Sequence, residues 1–565
     1  MENYKNKLQL YNENCKKPVY PLETIWHRVK RTADKYPRST ALMYLNKKIT
    51  YEEMTKKIER LHSALVSAGV RKGDRVMVCL PDIPQAVYLL YAINRMGAVA
   101  CFVHPLSSER EVADYIKLTK STCLVMLCSL YERVKSILSD LTVILTSPFD
   151  EAGVLAIFSY NLKNIGNIKS AADLKKSSQR IFIWKDLMNN KEGKVCDCVP
   201  VSCFEPAVIL FSGGTTGKSK GVVISSFALN AMGVQTGCVC GCNIKGKVML
   251  TALPFYHGFG LGVCVHAVLI CGGSCALVPR FSAEVLVKSI KKYRPNFLCG
   301  VPTMFEAILR CDCKGEPDLS CLRGVFCGGD SLTENLRNKF DGYLKERGAT
   351  VRIREGYGLT ECVAVSCLTP ENSHRKHSIG LPLPDMSYKI CKVGTTDEMP
   401  LGEEGEICIT GPTLMLSYLD DRAETDKAIR LHKDNRRWLH TGDAGVMDGD
   451  GYVYFRQRIK RMIISSGYNV YPSEIEELMC AHPSVERCFV VGVKDSYKMQ
   501  RIKAFVVVKE GVSSADELKD ALFDYCRENL PRHTPVSEIE FLESLPVTSC
   551  GKIDYRKLEN MSQVP

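Results

Sequence analysis

The chain has 565 residues and a mass of 63.1 kDa, more than one hydrophobic core usually holds, which predicts two or three domains. Its 45% hydrophobic and 24% charged residues are typical of a globular protein, and no repeat or low-complexity tract indicates a fibrous, solenoid or disordered class. The first residues, Met1 to Lys7, lack the apolar core of a signal peptide, so we expect a cytoplasmic protein.

The formal net charge of +12 is compatible with several kinds of binding partner. Nucleic-acid binding is disfavoured, because the basic residues are scattered rather than arranged in a stripe among aromatic residues. Anionic substrates such as ATP and CoA would account for the charge, and so would weak association with an acidic membrane surface. The charge alone does not choose between these explanations.

Helix and strand patterns alternate along the first 150 residues. Thr50 and Glu53 form a capping-box sequence, which predicts a helix that runs towards Ala68. A strand, a helix and a second strand are predicted at residues 75–80, 84–95 and 98–103. This alternation favours an α/β fold of parallel sheets covered by helices. The segment 161–194 is lysine-rich and irregular, and we expect it to be a surface excursion between two subdomains.

The segment Phe211–Val222 gives the strongest indication of function. It follows the apolar run 207–211 and combines glycines, hydroxyl side chains and two lysines, which suits a polyphosphate ligand. A Walker A loop would need a glycine at Ser212 and a helix afterwards, whereas residues 221–224 have the pattern of a strand. An ordinary turn would not require two lysines and two adjacent threonines. The segment therefore predicts a nucleotide-binding loop.

One long apolar stretch raises the question of a membrane span. Between Lys247 and Arg280 the only ionisable side chains of note are histidines, but Pro254 and the pair Gly272–Gly273 interrupt the stretch. The interruptions leave pieces of helix length and strand length. We therefore expect a buried core segment beside the active site.

The 27 cysteines are expected to be reduced thiols in an intracellular protein. Two groups, Cys238–Cys240–Cys242 and Cys311–Cys313, resemble metal ligands at first sight. Their one-residue spacing differs from that of a zinc knuckle, and no paired histidine follows. We expect these cysteines to pack as small hydrophobes.

The C-terminal region has a different pattern. Ser473 and Glu476 predict the cap of a short helix, strands are expected at 488–493 and 502–508, and a helix is expected at 515–529. These elements predict a small α+β module of about a hundred residues.

Five motifs follow one another along the chain, at 211–222, Glu355–Glu361, His440–Asp443, Arg458–Lys460 and Pro546–Lys552. Together they resemble the signature of the adenylate-forming superfamily of acyl-CoA synthetases, luciferases and adenylation domains, most closely bacterial medium- or long-chain fatty acyl-CoA ligases. The resemblance covers nearly the whole chain. It implies a large N-terminal domain at 1–459, a small mobile α+β domain at 460–565 with its hinge at Lys460, and the use of ATP, Mg²⁺ and CoA.

By this resemblance, the loop holds the β- and γ-phosphates of ATP through Ser212, Gly213, Gly214, Thr215, Thr216, Gly217, Lys218 and Lys220. Thr216 and Glu361 would bind magnesium, because a carboxylate beside phosphates normally shares a hard cation with them. Ser219 stands where relatives usually carry proline, a change that should affect the stiffness of the loop more than its chemistry.

The resemblance also implies the contacts of adenine. Gly328, Gly329 and Asp330 form the segment on which the base lies, since two glycines give a flat surface without side chains. Tyr357 and Gly358 pack beside the base.

The ribose and the α-phosphate have implied partners as well. Thr360 contacts the α-phosphate, Asp443 accepts hydrogen bonds from the ribose hydroxyls, and Arg458 lies near the ribose and phosphates. Gln457 departs slightly from the family, in which Gly or Asp usually precedes the arginine.

Catalysis is implied to depend on Lys552, which would reach the substrate carboxylate and the α-phosphate during adenylation. A flexible charge on a mobile domain suits a group needed in one half-reaction only. The small domain would then turn about Lys460 and bring Ser466, Gly467 and Tyr468 to the pantetheine channel.

The acyl pocket is expected to be walled by His257, Gly258, Phe259, Gly260, Val301, Cys362 and Val363. His257 would equally suit a satisfied core histidine. The wall has no lysine or arginine for a second carboxylate, and no aspartate is evident for the ammonium group of an amino acid. A fatty acid fits best, and an aryl or bile-type acid is the alternative. CoA is the expected acceptor because no insertion is obvious near the hinge; an acyl carrier protein is the alternative.

Two interpretations lie outside this class. A P-loop ATPase is disfavoured by Ser212, and a non-catalytic relative would have lost Lys552 or Glu361, both of which are present. The sequence therefore predicts an acid–thiol ligase, which forms an acyl-adenylate and pyrophosphate from ATP and then transfers the acyl group to CoA.

Overall fold

In the computed structural model, the described residues are 11, 17–138, 141–153, 180–189, 200–212, 219–311, 317–465, 468–495, 499–512, 516–530, 536–547 and 553–563. The chain forms two compact units. The first comprises Met1–Ser387 and Thr410–Leu431, and the second comprises Tyr388–Ile409 and His432–Pro565. The predicted domain boundary at Lys460 falls inside the second unit and stays a prediction.

The α-helices are α1 Ile25–Lys35, α2 Tyr51–Ser67, α3 Pro84–Arg95, α4 Glu109–Thr119, α5 Tyr131–Val134, α6 Trp184–Asn189, α7 Ser226–Val239, α8 Val268–Ile270, α9 Ala283–Tyr293, α10 Pro302–Leu309, α11 Glu334–Glu346, α12 Arg422–Ala428, α13 Pro472–Ala481, α14 Asp516–Asn529 and α15 Tyr555–Gln563. A π-helix spans Phe259–Ala267. Short 3₁₀ turns occur at Cys128–Leu130, Lys135–Ile137, Thr360–Cys362 and Ile459–Arg461.

The strands are β1 Thr40–Tyr44, β2 Lys47–Thr50, β3 Arg75–Cys79, β4 Val99–Phe102, β5 Cys123–Leu127, β6 Thr142–Thr146, β7 Ile181–Ile183, β8 Pro206–Ser212, β9 Lys220–Ser225, β10 Val248–Thr251, β11 Ser274–Leu277, β12 Phe297–Gly300, β13 Gly324–Cys327, β14 Ile353–Gly358, β15 Val365–Leu368, β16 Leu381–Pro382, β17 Ser387–Cys391, β18 Gly405–Thr410, β19 Ser417–Tyr418, β20 Ile429–Leu431, β21 Arg437–Met447, β22 Val453–Arg458, β23 Ile463–Ser465, β24 Tyr468–Val470, β25 Val485–Asp495, β26 Met499–Val508 and β27 Val536–Phe541.

Two large sheets organise the first unit. One has eight strands in the order β19–β9–β8–β4–β3–β5–β6–β7, and the other has nine in the order β16–β15–β14–β13–β12–β10–β11–β1–β2. The neighbours from β8 through β4, β3, β5 and β6 to β7 are parallel, as are those from β11 through β10, β12 and β13 to β14. Parallel strands require crossover connections, which the helices supply. The predicted α/β class, with a large helix-covered domain and a small α+β domain, is confirmed.

Local signals set several of these elements. Thr50 Oγ1 accepts a hydrogen bond from Glu53 N at 3.2 Å, and the Glu53 side chain accepts one from Thr50 N at 2.7 Å, which completes the predicted capping box of α2. Pro84 opens α3, where its fixed φ suits the first helical turn. The helix predicted at 84–95 is confirmed.

The expectation of an irregular excursion is wrong for residues 181–189. They form β7, which extends the parallel sheet beside β6, and α6. Trp184 is buried and its indole N–H points at Glu151. The three apolar residues before it are enough to add an edge strand, although the lysines around them obscure the pattern. The remaining parts, 161–179 and 190–194, lie outside the described residues.

The apolar stretch between Lys247 and Arg280 is a core segment, as predicted. It contains β10, the π-helix, α8 and β11, which are almost entirely buried. Within the stretch, His266 is hydrogen-bonded to Tyr91 at 3.1 Å and Asn230 at 3.0 Å, and burial lowers its pKa to about 3. Among the residues that the structure describes, no helix has the length and apolar character to cross a membrane.

The second unit holds two smaller sheets. One contains β17, β18, β21 and β22, and the other has the order β24–β23–β26–β25 with β27 beside β26. Ser473 is not the helix cap that the sequence predicts. Helix α13 begins one residue earlier, at Pro472, and the Ser473 hydroxyl donates to Arg456 O at 2.9 Å. Proline at the first helical position competes successfully with the serine cap.

Candidate nucleotide and acyl site

The predicted adenine segment lies at the carboxyl ends of the parallel strands β12, β13 and β14. Gly328 N donates to Gly300 O at 3.1 Å, and a Cβ on Gly328 would lie 3.0 Å from Gly356 O. Gly329 has φ +84°, a conformation that favours glycine. Asp330 turns the chain, because its Oδ1 accepts from Ser331 N at 2.9 Å. Close backbone packing at Gly328 and the positive φ of Gly329 each give a physical reason for glycine here, and the adenine contact stays a prediction.

Glu355 is hydrogen-bonded to residues that follow the predicted adenine segment. Its Oε1 accepts from Leu332 N at 3.1 Å, and its Oε2 accepts from Arg337 Nη2 at 2.8 Å. Burial raises the pKa of Glu355 to about 7, although Leu332 and Arg337 oppose the shift. Glu355 opens one of the sequence motifs, but the family resemblance implies no role for its carboxylate.

Tyr357 and Gly358 belong to β14 itself. Tyr357 pairs with Cys367 of β15 and is half-buried. A Cβ on Gly358 would lie 1.7 Å from Ala364 O, so only glycine allows this approach of the two strands. The motif therefore extends the strand before it turns.

Thr360 and Glu361 follow in a 3₁₀ turn. The turn ends at Val363 with φ +67°, a conformation that a β-branched residue rarely adopts. Glu361 Oε1 accepts from Tyr418 Oη at 2.8 Å, and Glu361 O accepts from Met415 N at 2.8 Å. These contacts fix a partly exposed carboxylate, a hard oxygen donor of the kind that Mg²⁺ prefers, so the residue fits the predicted magnesium ligand.

Strands β8 and β9, which flank the predicted phosphate loop in the sequence, are antiparallel neighbours, and Ser212 pairs with Lys220. Lys220 Nζ donates to Glu424 Oε2 at 2.5 Å and lies 4.7 Å from the centroid of the Tyr418 ring. Hydrogen bonds from Lys220 and Lys427 lower the pKa of Glu424 to about 2. Lys220 is therefore held by Glu424, which lies about two hundred residues further along the chain and belongs to no sequence motif.

The start of the π-helix packs against the turn that carries Val363. A Cβ on Gly258 would lie 1.5 Å from Val363 O, and one on Gly260 would lie 2.2 Å from Pro254 O. Phe259 Cε1 approaches the position of a Cβ on Gly328 at 3.4 Å. The structure thus brings the predicted acyl wall to the predicted adenine segment.

The other wall residues surround this contact. Val301 Cγ1 lies 3.4 Å from the position of a Cβ on Gly329, and Cys362 is fully buried. The His257 ring packs on Tyr256, with centroids 4.7 Å apart, and Tyr256 packs on His104 at 4.7 Å. His104 therefore lies near the predicted wall residue His257 through Tyr256, although no sequence motif indicates it.

Asp82 holds the backbone just before this predicted wall segment. It is buried, and its Oδ1 accepts from Phe255 N at 3.1 Å. Burial raises the pKa of Asp82 well above its usual range, and the hydrogen bond from Phe255 N opposes this shift.

The predicted ribose motif lies in the second unit. Asp443 on β21 and Arg458 on β22 are directly paired, and Arg458 Nε lies 3.0 Å from Asp443 Oδ1. Asp443 is 1% exposed, whereas the Arg458 side chain is 46% exposed. The arginine therefore orients a buried carboxylate from its solvent side. Lys460 is exposed in the 3₁₀ turn just after β22.

Several predicted residues lie outside the described part of the chain. They are Gly213, Gly214, Thr215, Thr216, Gly217, Lys218, Ser466, Gly467 and Lys552. Tyr468 belongs to β24.

Comparisons with known proteins agree with this arrangement. A family model described as "AMP-binding enzyme" matches residues 29–419, and one described as "AMP-binding enzyme C-terminal domain" matches residues 474–552. The sequence is 29% identical to a long-chain-fatty-acid–CoA ligase of Bacillus subtilis (strain 168), over 95% of this chain and 94% of that protein. It is 28% identical to a probable 4-coumarate–CoA ligase of Dictyostelium discoideum, over 90% of this chain and 89% of that protein.

Among solved structures, the crystal structure of ATP-bound MatB from Rhodopseudomonas palustris matches with a TM-score of 0.82. The two sequences are 23% identical, and the match covers 96% of this chain and 99% of the other. At this level of identity the match shows that the fold is the same.

Proposed function

Because this chain belongs to the family of AMP-binding enzymes and is an ATP-dependent, AMP-forming acyl-CoA ligase, we propose that its acid substrate is a medium- or long-chain fatty acid. The proposal rests on the wall that Gly258, Phe259 and Val363 form together. The predicted wall contains no lysine, arginine, aspartate or glutamate. An alkyl chain is bound by apolar surface, whereas a dicarboxylate or an amino acid would need a buried partner of opposite charge.

In the first step, a carboxylate oxygen of the acid attacks the α-phosphorus of ATP. The bond from that phosphorus to the β-phosphate bridge breaks, and pyrophosphate leaves with the electron pair. Thr360 would contact the α-phosphate, and the adenine ring would lie on Gly328 and Gly329. Glu361, oriented by Tyr418, would hold Mg²⁺. Bound magnesium would supply charge neutralisation for the phosphates.

In the second step, the thiol of CoA attacks the acyl carbon, its proton is released, and AMP leaves. We assign Lys552 to the first step, and Ser466, Gly467 and Tyr468 to the second, with a rotation about Lys460 between them. Lys552→Ala should stop pyrophosphate release and spare thioester formation from supplied acyl-adenylate, while Lys557→Ala should affect neither. Equal loss of both half-reactions in Lys552→Ala would contradict this alternation.

Asp443 would accept hydrogen bonds from the ribose hydroxyls. Arg458 contributes by holding the carboxylate of Asp443 at 3.0 Å, which fixes its orientation before ATP binds. The same arginine is exposed enough to reach a phosphate.

An aryl acid is the second candidate, favoured by the similarity to a 4-coumarate–CoA ligase and by the aromatic row of His104, Tyr256 and His257. A bile-type acid would use the same apolar wall. For the acceptor, an acyl carrier protein is the alternative to CoA.

The test is release of pyrophosphate and AMP from magnesium-ATP across short, medium, long-chain and aromatic acids, with and without CoA. We expect a maximum on medium or long alkyl acids and multiple turnover only with CoA. A maximum on aromatic acids would replace the fatty acid by the second candidate. A single turnover despite CoA would indicate a carrier protein. Formation of ADP without dependence on acid would refute the adenylation chemistry.

A further inference from the structure

Three common metal ligands lie together in the interior of the second unit: Cys408, His432 and His440. One potential ligand atom from each residue lies within 4.8 Å of the other two, and all three residues are buried. Cys408 on β18 and His440 on β21 are Cα partners across antiparallel strands, so their side chains share one face of the sheet. His432 precedes β21, at the start of the turn in which its N–H bonds to Arg436 O. The proposed acyl transfer uses none of these three side chains.

The ligand atoms are close enough to be gathered around one ion. His440 Nε2 lies 2.9 Å from His432 Nε2, and His440 Nδ1 lies 3.5 Å from Cys408 Sγ. Ligand atoms around tetrahedral zinc, with bonds of about 2.0 Å to nitrogen and about 2.3 Å to sulfur, are roughly 3.3–3.6 Å apart. The two imidazole Nε2 atoms are close to this separation. Cys408 Sγ lies nearest to Nδ1 of His440, which also bonds to Glu406, so the cysteine side chain must turn towards the Nε2 side for the three residues to share one ion. Trp438 covers the cluster, since its ring packs on His432 and contacts Cys408 and Cys391.

Glu406 gives the cluster an outer ligand shell. Its Oε2 accepts from His440 Nδ1 at 2.8 Å, and its Oε1 accepts from Gly442 N at 2.9 Å. A carboxylate on one ring nitrogen of a histidine fixes the tautomer and directs the lone pair of the other nitrogen to a metal. Here the other nitrogen of His440 faces His432.

We propose that Cys408, His432 and His440 bind one divalent transition-metal ion, for which zinc is the best match, in a buried site with three protein ligands. A mixed set of sulfur and imidazole ligands selects zinc over the hard cations Mg²⁺ and Ca²⁺, which prefer oxygen. On binding, the Cys408 thiol loses its proton to solvent and both imidazoles donate from neutral rings. Without an ion, the same contacts would be a hydrogen-bond network, and this is the alternative to exclude.

The ion would stiffen the loop that carries the ribose contact. Glu406 joins His440 to Gly442, and Asp443 follows directly, with its N–H bonded to Thr441 Oγ1 at 3.1 Å. Fixing the position of the His440 side chain would therefore restrain the backbone from His440 to Asp443. This consequence rests on the proposed function, whereas metal binding itself does not.

The test uses the full chain, stripped with a chelator and reloaded with Co²⁺ or Zn²⁺. Tetrahedral cobalt bound to a thiolate gives a ligand-to-metal absorption band and d–d bands, which report geometry and sulfur ligation without any assay of activity. We expect one ion per chain. Cys408→Ser should lose the thiolate band, and His432→Gln should weaken binding by about tenfold or more. Cys526→Ser, a buried cysteine in another cluster of this unit, should bind like the wild type.

Two results would overturn the proposal. One is a wild-type protein that takes up no cobalt or zinc beyond the level of an unrelated protein carried through the same procedure. The other is a Cys408→Ser variant that keeps the thiolate band, because the ion would then lie elsewhere among the cysteines. If Cys408→Ser does not fold, the wild-type spectrum and His432→Gln decide, since Gln keeps the size and polarity of the side chain.

Discussion

The predicted acyl and adenine residues of the first unit are held by close backbone packing, whereas the predicted ribose residues of the second unit are held by an ion pair. In the first region, Gly258, Gly328 and Gly358 lie close to neighbouring backbone. A Cβ atom added to any of them would contact a backbone carbonyl oxygen. In the second, Asp443 and Arg458 form an ion pair between side chains on adjacent strands. The first region should therefore fail when volume is added, and the second should fail when charge is removed.

The largest effect is expected from Gly258→Ala. Its Cβ would lie 1.5 Å from Val363 O, and backbone cannot yield as a side chain does. We expect a loss of more than about 3 kcal/mol in the free energy of unfolding, measured by urea denaturation, together with loss of pyrophosphate release. Gly342→Ala on α11, where nothing lies within 4 Å of the new Cβ, should keep or raise stability. If Gly258→Ala were as stable as the wild type, close backbone packing would not be what holds the first region in place.

Glu355 tests whether the first region also contains a charge-sensitive support. Its folded pKa of about 7 lies above the unfolded value of about 4.3, so the folded state binds the extra proton between these values. The unfolding free energy should therefore fall as pH rises through this window, by up to about 3 kcal/mol.

The measurement is urea denaturation of the wild type and Glu355→Gln at pH 5 and pH 8. The stability of the wild type relative to the variant should fall between the two pH values, because the variant has no proton to lose. Glu346→Gln, at an exposed position, should leave the pH dependence of the wild type unchanged. Parallel pH curves for Glu355→Gln and the wild type would show that Glu355 keeps an ordinary pKa.

Asp443→Asn removes the charge of the second region without adding volume. Charge-assisted hydrogen bonds contribute about 1.5–3 kcal/mol, so kcat/KM for ATP should fall by about 10–100-fold while the chain still folds. Steady-state kinetics and thermal denaturation would check both statements. Asp450→Asn, in the exposed turn after β21, is the matched control. A stability loss without a kinetic loss would assign Asp443 a structural role only.

The smallest effect is expected from Tyr418→Phe, which removes the 2.8 Å hydrogen bond to Glu361 and keeps the ring beneath Lys220. Loss of one such bond costs about 0.5–1.5 kcal/mol, so the Mg²⁺ concentration for half-maximal rate should rise about 3–10-fold. Tyr454→Phe removes a 3.0 Å bond to Asp448 and should leave the magnesium dependence unchanged. A response of Tyr454→Phe as large as that of Tyr418→Phe would make the effect nonspecific.

Local patterns predicted the framework of the first unit well. The helix at 84–95 and the strands beside it follow from alternation and from Pro84, because those signals lie within a few residues of each other. The adenine segment was predicted from the family resemblance alone. The structure adds a physical reason for glycine at position 328, because this residue lies close to the backbone of Gly356.

Contacts between distant residues were not predictable in the same way. Glu424 pairs with Lys220, and Asp82 supports Phe255, yet neither acidic residue stands in a motif. The cysteine groups that attracted attention by spacing are free thiols where the structure describes them. The cluster of Cys408, His432 and His440 has no such spacing, because sheet pairing rather than sequence distance brings the three residues together.

The π-helix at Phe259–Ala267 has a consequence for how the pocket can vary. Its i→i+5 bonding holds more residues in each turn than an α-helix does. Deleting one residue would restore the tighter winding and rotate every later side chain about the axis, so that different groups would meet Val363. A homologue could thus acquire a pocket of different depth through a single-codon insertion or deletion, with every remaining amino acid unchanged.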